Sequence, residues 1–183
     1  MRTLNLPVAI ALGSALSLSA AAAAKNPMVG GAAMYPTRNI VQNAVNSKDQ
    51  TTLVAAVKAA GLVDTLSGPG PFTVFAPTNE AFAKLPAGTV ANLVKPENKA
   101  TLTKILTYHV VPGRITAGQI VGMAARHGGT ATLKTVEGEN LMFRKGNGAW
   151  WVIDAKGGKA RITIPNVMQS NGAIHVIDSV LMP

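Results

Sequence analysis

The sequence predicts an α+β fold whose first half is helical and whose second half is an antiparallel sheet. Between about residues 39 and 107, apolar residues recur at helical spacing, whereas from Thr130 onward apolar and polar residues alternate. Helices followed by strands favour α+β over alternating βαβ units. About 159 residues remain after the first 24 of the 183, which is the size of one domain.

The N-terminus is predicted to be a signal peptide covering residues 1–24. Arg2 supplies a positive start, residues 8–18 are apolar, and residues 20–24 offer several small-residue cleavage frames, of which the cut after Ala24 is preferred. A retained membrane anchor is the alternative, although the apolar run is short for a membrane span. With 0 cysteines, neither a disulfide nor a lipid attachment is available. The mature protein is therefore expected to be secreted or periplasmic.

Residues 25–35 lack a period and are predicted to be a flexible lead-in to a single domain at 36–183. Asn39 is predicted to cap the first helix and Asp49 the second, which Gly61 should end. Further helices are predicted at 79–84, 88–94, 98–107 and 116–125.

The strands are marked by short apolar or alternating runs between turn residues. A turn cluster at 67–71 precedes a strand at 72–76, which breaks at Pro77, and Thr78 with its polar neighbours is predicted to cap the helix that follows. Asn171 and Gly172 are predicted to supply the positive φ angles of a tight turn. The remaining strands are predicted at 130–136, 141–145, 150–154, 161–164 and 173–177.

Three blocks of the chain, taken in order, resemble the fasciclin domain family. They are Phe72–Phe82, Leu106–Gly113 and Asn171–Pro183, which are similar to the first signature, the central Tyr-His motif and the second signature of that family. The resemblance covers residues 35–183. Its signature positions are Phe75, Pro77, Thr78, Phe82, Asn171, Gly172, His175 and Asp178.

The resemblance implies a wedge or sandwich of two β-sheets with helices alongside, in which the strand at 72–76 pairs with the C-terminal strands. It also implies a non-enzymatic adhesion module that contacts cells, matrix or host surfaces. In animal relatives the Tyr-His segment is linked to integrin recognition, and Tyr108 and His109 match that motif. The implied partner is a cell-surface protein or a polysaccharide, and the protein is expected to be a monomer that is peripheral to a membrane at most.

Tyr108, His109 and His175 are predicted to lie in or beside apolar strands. Alternation would then turn one of Tyr108 and His109 inward, and the histidines would bond to backbone or neighbouring side chains. Stabilising roles are therefore favoured over contact with a partner. Whether His109 and His175 share one hydrogen-bond network is left open by the sequence.

Trp150 and Trp151 are adjacent on a predicted strand, so one side chain should enter the core and the other should face outward. Trp151 is predicted to be the inner one, because Ile153 shares its face while Asp154 joins Trp150. The outer Trp would lie beside Arg144 or Lys145. An exposed Trp flanked by cations suits stacking on a sugar ring, so an extracytoplasmic carbohydrate-binding protein is the alternative function.

Other functional classes find little support in the residues. Asp178 and Ser179 are adjacent and would point to opposite faces of a continuing strand, so they cannot both meet His175 in a relay. The chain also has no nucleophile elbow and no cysteine, so no enzyme is predicted. Three scattered histidines do not indicate a metal site, and no cofactor is predicted. The net charge of +9, or +8 without the leader, is spread along the chain, which disfavours nucleic-acid binding.

Overall fold

The computed structural model describes residues 25–183, and the predicted signal peptide lies outside them. The α-helices of this range are α1 (Ile40–Ala44), α2 (Thr51–Ala60), α3 (Val63–Ser67), α4 (Asn79–Ala83), α5 (Thr89–Leu93), α6 (Lys99–Tyr108) and α7 (Ala117–Arg126). Its strands are β1 (Phe72–Pro77), β2 (Val110–Pro112), β3 (Thr130–Lys134), β4 (Asn140–Gly146), β5 (Ala149–Ile153), β6 (Lys159–Gln169) and β7 (Gly172–Ile177). No helix within residues 25–183 is long and apolar enough to span a membrane.

The seven strands form one hydrogen-bonded order, β2-β1-β7-β6-β5-β4-β3. The α+β class is confirmed, as is the return of β1 to the C-terminal strands, but β1 and β7 run parallel while every other pair is antiparallel. Strand β6 pairs first with β5 and then with β7, with register shifts around Ile164. Because one bent strand joins the two halves, the expected sandwich of two sheets is replaced by a continuous sheet.

Two apolar clusters lie on opposite faces of the β1–β7 pair. The first core contains Val74 and Ile174 and packs against helices α1 to α4 and α6. The second core contains Phe75 and Ile177, together with Phe143 from β4 and residues of α7. Successive residues of β1 and β7 therefore enter different cores, and all six residues of β7 are buried.

The turn between β6 and β7 is made by Ser170 and Asn171, and the expectation of positive φ at Asn171 and Gly172 is wrong. Gly172 begins β7, where an added Cβ would overlap the carbonyl oxygen of Phe72, so close approach of two backbones requires the glycine. The Asn171 amide accepts a bond from the backbone N–H of Ile40 (3.0 Å) and donates to the carbonyl of Leu66 (2.7 Å). The Asn-Gly pair thus fastens the strand to the helical layer.

The helix caps divide into confirmed and mistaken predictions. Asn39 caps α1, Thr78 caps α4 through the N–H of Ala81, and Gly61 ends α2 with a φ of 72°. Asp49 is not a cap, because it lies in a 3₁₀ turn ahead of α2. The N–H of Thr52 in the first turn of α2 instead donates to the side chain of Asn79, 3.0 Å away. Helix α3 was not predicted.

Candidate contact surface

Tyr108 and His109 lie at the C-terminal end of α6, with Tyr108 its last residue and His109 its C-cap. The expectation that one of them faces outward is wrong: both side chains are buried, because a helix end does not alternate inward and outward as a strand does. The hydroxyl of Tyr108 donates to the carbonyl of Asn140 (3.2 Å) and accepts from the N–H of Ala155 (2.9 Å). Tyr108 therefore links α6 to the loops around β4 and β5.

His109 uses both ring nitrogens for backbone bonds. Its Nδ1 donates to the carbonyl of Ile105 (2.8 Å), and its Nε2 accepts from the N–H of Leu181 (3.0 Å). These partners require the neutral ring. Burial lowers the pKa of His109 from its ordinary 6.5 to about 4, which keeps the ring neutral at physiological pH.

His175 is fixed in the same manner by other partners. Its Nε2 donates to the carbonyl of Ile115 (2.8 Å), its Nδ1 accepts from the N–H of Asn166 (3.3 Å), and its ring stacks on Phe75 with centroids 5.4 Å apart. Burial lowers the pKa of His175 as well. The four ring nitrogens of His109 and His175 thus all bond to backbone, so the two histidines are not joined by a hydrogen bond.

The other signature residues also have structural contacts. Phe75 and Phe82 are buried, and Pro77 ends β1 opposite Ile177. The carboxylate of Asp178 accepts the N–H of Arg161 on β6 (2.8 Å) and lies 3.3 Å from the hydroxyl of Ser179. Since His175 is committed to backbone partners, these side chains form no catalytic relay. Among residues 25–183, no group of three or more His, Asp or Glu side chains could hold a metal ion.

The tryptophan pair has the register opposite to the one predicted. Val152 pairs with Phe143 and Ala160, which are fully buried, so Trp150 on the same face packs against the second core. Trp151 is directed to the outer face. The prediction failed because it placed Asp154 on the wet side, whereas Asp154 is buried.

Asp154 is satisfied by backbone donors rather than by water. Its carboxylate accepts the N–H groups of Lys156 (3.0 Å), Gly158 (2.6 Å) and Met182 (3.0 Å). A carboxylate bonded in this way can be buried without a cation beside it. The Asp154 carboxylate therefore fixes the loop after β5 from inside the protein and does not lie on an exposed strand face.

The outer face of strands β3 to β6 presents Trp151 between two arginines. Trp151 is directly opposite Arg144 of β4 and Arg161 of β6, and in the next row Ile153 is opposite Met142 and Lys159. A groove of about 580 Å³ opens here, and its walls include Arg144, Lys145, Gly146, Asn147, Trp151, Ile153, Lys159 and the Gly128-Gly129 turn. This groove, called the Trp151 groove below, is the exposed site that combines an aromatic ring with several cations.

The ring of Trp151 is held in place by its own hairpin, because the indole Nε1 donates to the carbonyl of Gly146 at 2.9 Å. Arg144, Lys159 and Arg161 are exposed. Arg144 and Lys159 line the groove, whereas Arg161 lies beside Trp151 on β6 and lines a neighbouring pocket with Trp150. The ion pairs found within residues 25–183 join Lys84 to Asp178 and Lys104 to Glu137 and Glu139, so none of these three cations is paired with a carboxylate.

Sequence reasoning found Arg144 and Trp151 but missed Lys159 and Arg161 as members of this surface. Their place depends on the pairing of β6 with β5, where Arg161 lies opposite Trp151 and Lys159 opposite Ile153. The alternation of the predicted strand at 161–164 was the available sequence feature. That alternation does not say which residue of β6 pairs with which residue of β5.

Comparison with known proteins places this architecture in a family. The fasciclin domain model matches residues 48–183. Protein sll1483 of Synechocystis is 51% identical over 159 residues, covering 87% of this chain and 81% of that protein. The cell surface glycolipoprotein MPB83 of Mycobacterium bovis is 35% identical over 171 residues, covering 88% of this chain and 68% of that protein.

A solved structure shows the same fold. It is the FAS1 domain pair from the insect cell adhesion molecule Fasciclin I, with a TM-score of 0.69 and 21% sequence identity. The superposition covers 80% of this chain and 51% of that one. At this identity the likeness establishes the architecture alone.

Proposed function

Because the chain belongs to the fasciclin domain family, we propose that it is an exported, non-enzymatic surface-interaction module. In this role it contacts a cell-surface protein or polysaccharide on cells, matrix or host. One relative supports the proposal by its description: MPB83 is a cell surface glycolipoprotein. The layout of residues 1–24 supports export.

The geometry favours the Trp151 groove over the Tyr-His segment as the contact surface. Tyr108 and His109 are buried and bonded to backbone, so a partner could reach them only after α6 and the C-terminal residues separate. Trp151, Arg144 and Arg161 are adjacent on an open sheet face. Tryptophan and arginine are the residue types that most often dominate binding energy at interfaces. This row on the outer face, a half-buried Trp151 between two exposed arginines, is the observation on which the assignment rests.

The proposal is tested with protein purified from the native host and coupled to beads. Beads carrying the wild-type chain are expected to adhere to native cells or to their isolated envelopes. The Trp151→Ala variant is expected to adhere several-fold less, with a melting temperature within about 4 °C of the wild type's. Lys58→Gln is the matched control, because Lys58 is exposed on α2, away from the groove. Absence of adhesion by the wild type would refute the function, and equal adhesion by Trp151→Ala would refute the surface.

Export is tested on the same preparation by mass spectrometry. A mature chain that begins near Lys25 supports it, whereas an intact Met1 or Arg2 contradicts it.

A second function, an extracytoplasmic carbohydrate-binding protein, is favoured by one observation. The Trp151 ring lines an open groove of about 580 Å³ and is oriented by its bond to Gly146. A glycan array separates the two functions. Saccharide binding that disappears in Trp151→Ala supports the carbohydrate-binding protein, while adhesion without saccharide binding supports recognition of a protein partner.

A further inference from the structure

We propose that the Trp151 groove binds an acidic polysaccharide, with a sugar ring stacked on Trp151 and carboxylate or sulfate groups paired with Arg144, Arg161 and Lys159. The inference rests on the surface-contact function proposed above and names its ligand. It adds Arg161 and Lys159 to the contact residues and makes the charge of the ligand a requirement.

The aromatic part of the site is already oriented for stacking. The Nε1–H of Trp151 is bonded to Gly146, so the ring needs no polar partner from a ligand and offers its apolar surface to the groove. In the part of the chain that the structure describes, the cation–π contact joins Arg38 to Tyr35, so no cation covers Trp151. A ring fixed before binding loses little conformational freedom when a sugar stacks on it.

The cations are placed by the register of the sheet. Arg144 and Arg161 flank Trp151 on the two neighbouring strands, roughly 5 Å away on each side by the strand spacing. Lys159 lies opposite Ile153 in the next row. Guanidinium groups bind carboxylate and sulfate through paired N–H donors, which a neutral sugar cannot match. Acidic groups on both sides of a stacked ring would therefore each meet a cation.

The surrounding charges leave this face cationic. The nearest acidic residues in sequence are Glu137, Glu139 and Asp154, and in space Asp178 also lies close, because its carboxylate accepts the backbone N–H of Arg161 and pairs with Lys84. The two glutamates pair with Lys104, and Asp154 is buried against backbone N–H groups. Uncompensated cations around a concave surface attract a polyanion and raise its rate of association.

The shape favours a polymer over a membrane. The apolar side chains of the groove do not project as a membrane-inserting tip would: Trp151 and Ile153 are half-buried, and the indole is held against the β4–β5 hairpin. A groove with cations along its walls accommodates a chain lying across the strands, whereas insertion among lipids requires protruding apolar groups.

The test measures binding of two matched polymer pairs by titration calorimetry. The first pair is oligogalacturonate and its methyl ester, and the second is dextran sulfate and dextran. A charged member is expected to bind, its neutral counterpart at least about tenfold more weakly, and affinity is expected to fall as salt is raised. Trp151→Ala should weaken binding about tenfold, and Arg144→Gln or Arg161→Gln about three- to tenfold.

Controls separate this site from general charge attraction. Lys159→Gln should weaken binding several-fold while Lys58→Gln, which removes one exposed lysine elsewhere, should leave it unchanged; equal losses would overturn the proposal. It is also overturned if a single-stranded DNA oligomer, or vesicles containing anionic lipid, bind as tightly and respond to the variants in the same way. If beads adhere to native cells but neither charged polymer binds, the ligand is wrong and the surface function stands.

Discussion

The two ends of the sheet bury their side chains in different ways. Every residue of β7 is buried, whereas in β4 the buried Leu141 and Phe143 alternate with the exposed Met142 and Arg144. The β1–β7 pair is covered on both faces by the two cores, while β3 and β4 are covered on one face by α7. Parallel strands are usually enclosed and antiparallel strands often keep one face in water.

The residues that make the family recognisable therefore lie in a different region from the surface that we propose as the contact site. The sequence blocks that resemble a known family lie where both faces are covered, and His109, His175 and Asn171 there bond to backbone. The Trp151 groove lies where one face is open and belongs to none of the three blocks. A motif that identifies the fold need not mark the surface that meets a partner.

The chain holds an internal control for the comparison, because two histidines occupy the same local position in the two regions. His109 is the C-cap of α6 and His127 the C-cap of α7, and each Nδ1 lies 2.8 Å from the carbonyl four residues earlier. His109 is buried and His127 is exposed. The buried cap should therefore contribute more to the free energy of unfolding than the exposed one.

The largest expected effect is that of Gly172→Ala in the enclosed region. The new Cβ would overlap the carbonyl oxygen of Phe72, and a backbone atom in the centre of the sheet cannot move aside as a side chain does. We expect a loss of about 4 to 5 kcal/mol in the free energy of unfolding, measured by urea denaturation. Gly118→Ala in α7 is the control and should gain up to about 1 kcal/mol. Similar results for both variants would contradict the close approach.

The next effect compares the two histidine caps. His109→Ala removes a buried ring and leaves the N–H of Leu181 without an acceptor, so a loss of about 3 to 4 kcal/mol is expected. His127→Ala should cost less than about 1 kcal/mol, because water can replace the exposed ring. Thermal and urea melts of the two variants measure the difference. Equal losses would mean that burial of the histidine does not determine how much it stabilises the fold.

The third prediction is a loss of stability in acid. The unfolded chain takes up the His109 proton near pH 6.5, whereas burial holds the folded pKa at about 4, so between these values the unfolded state binds more protons. Stability is then fully present above pH 6.5 and falls by about 3 kcal/mol as the pH approaches 4. His175, whose pKa is also lowered, acts in the same direction. Urea melts from pH 7.5 to 4 should show a shallower slope for His109→Gln than for the wild type; identical slopes would refute this origin.

The smallest effects distinguish the two tryptophans. Trp150→Ala should cost about 2 kcal/mol, since its half-buried ring packs against the second core, and Trp151→Ala less than about 1 kcal/mol, since its ring lies on the outer face. Denaturant melts compare them directly. A larger loss at Trp151 would restore the register that the sequence suggested and would remove Trp151 as the contact residue.

The elements that the sequence predicted well depend on local interactions. Helix α7 begins at the Thr116 cap, and β1 ends at Pro77, since cap and proline act on their immediate neighbours. Strand β6 was predicted at a third of its length, because Pro165 and Asn166, with a φ of 58°, interrupt the pattern where the strand bends. The groove required the cross-strand register of Arg161, which no local pattern contains.

The position of β7 between β1 and β6 also determines when the protein can fold. Phe72 pairs with Gly172, 100 residues further along, and the first core is incomplete without Ile174 and Val176. A nascent chain that emerges with its N-terminus first therefore has helices but no central strand to pack them on. Until β7 has been synthesised, the first core therefore lacks Ile174 and Val176 and stays incomplete. The sheet can therefore be completed only after the residues of β7 have been made.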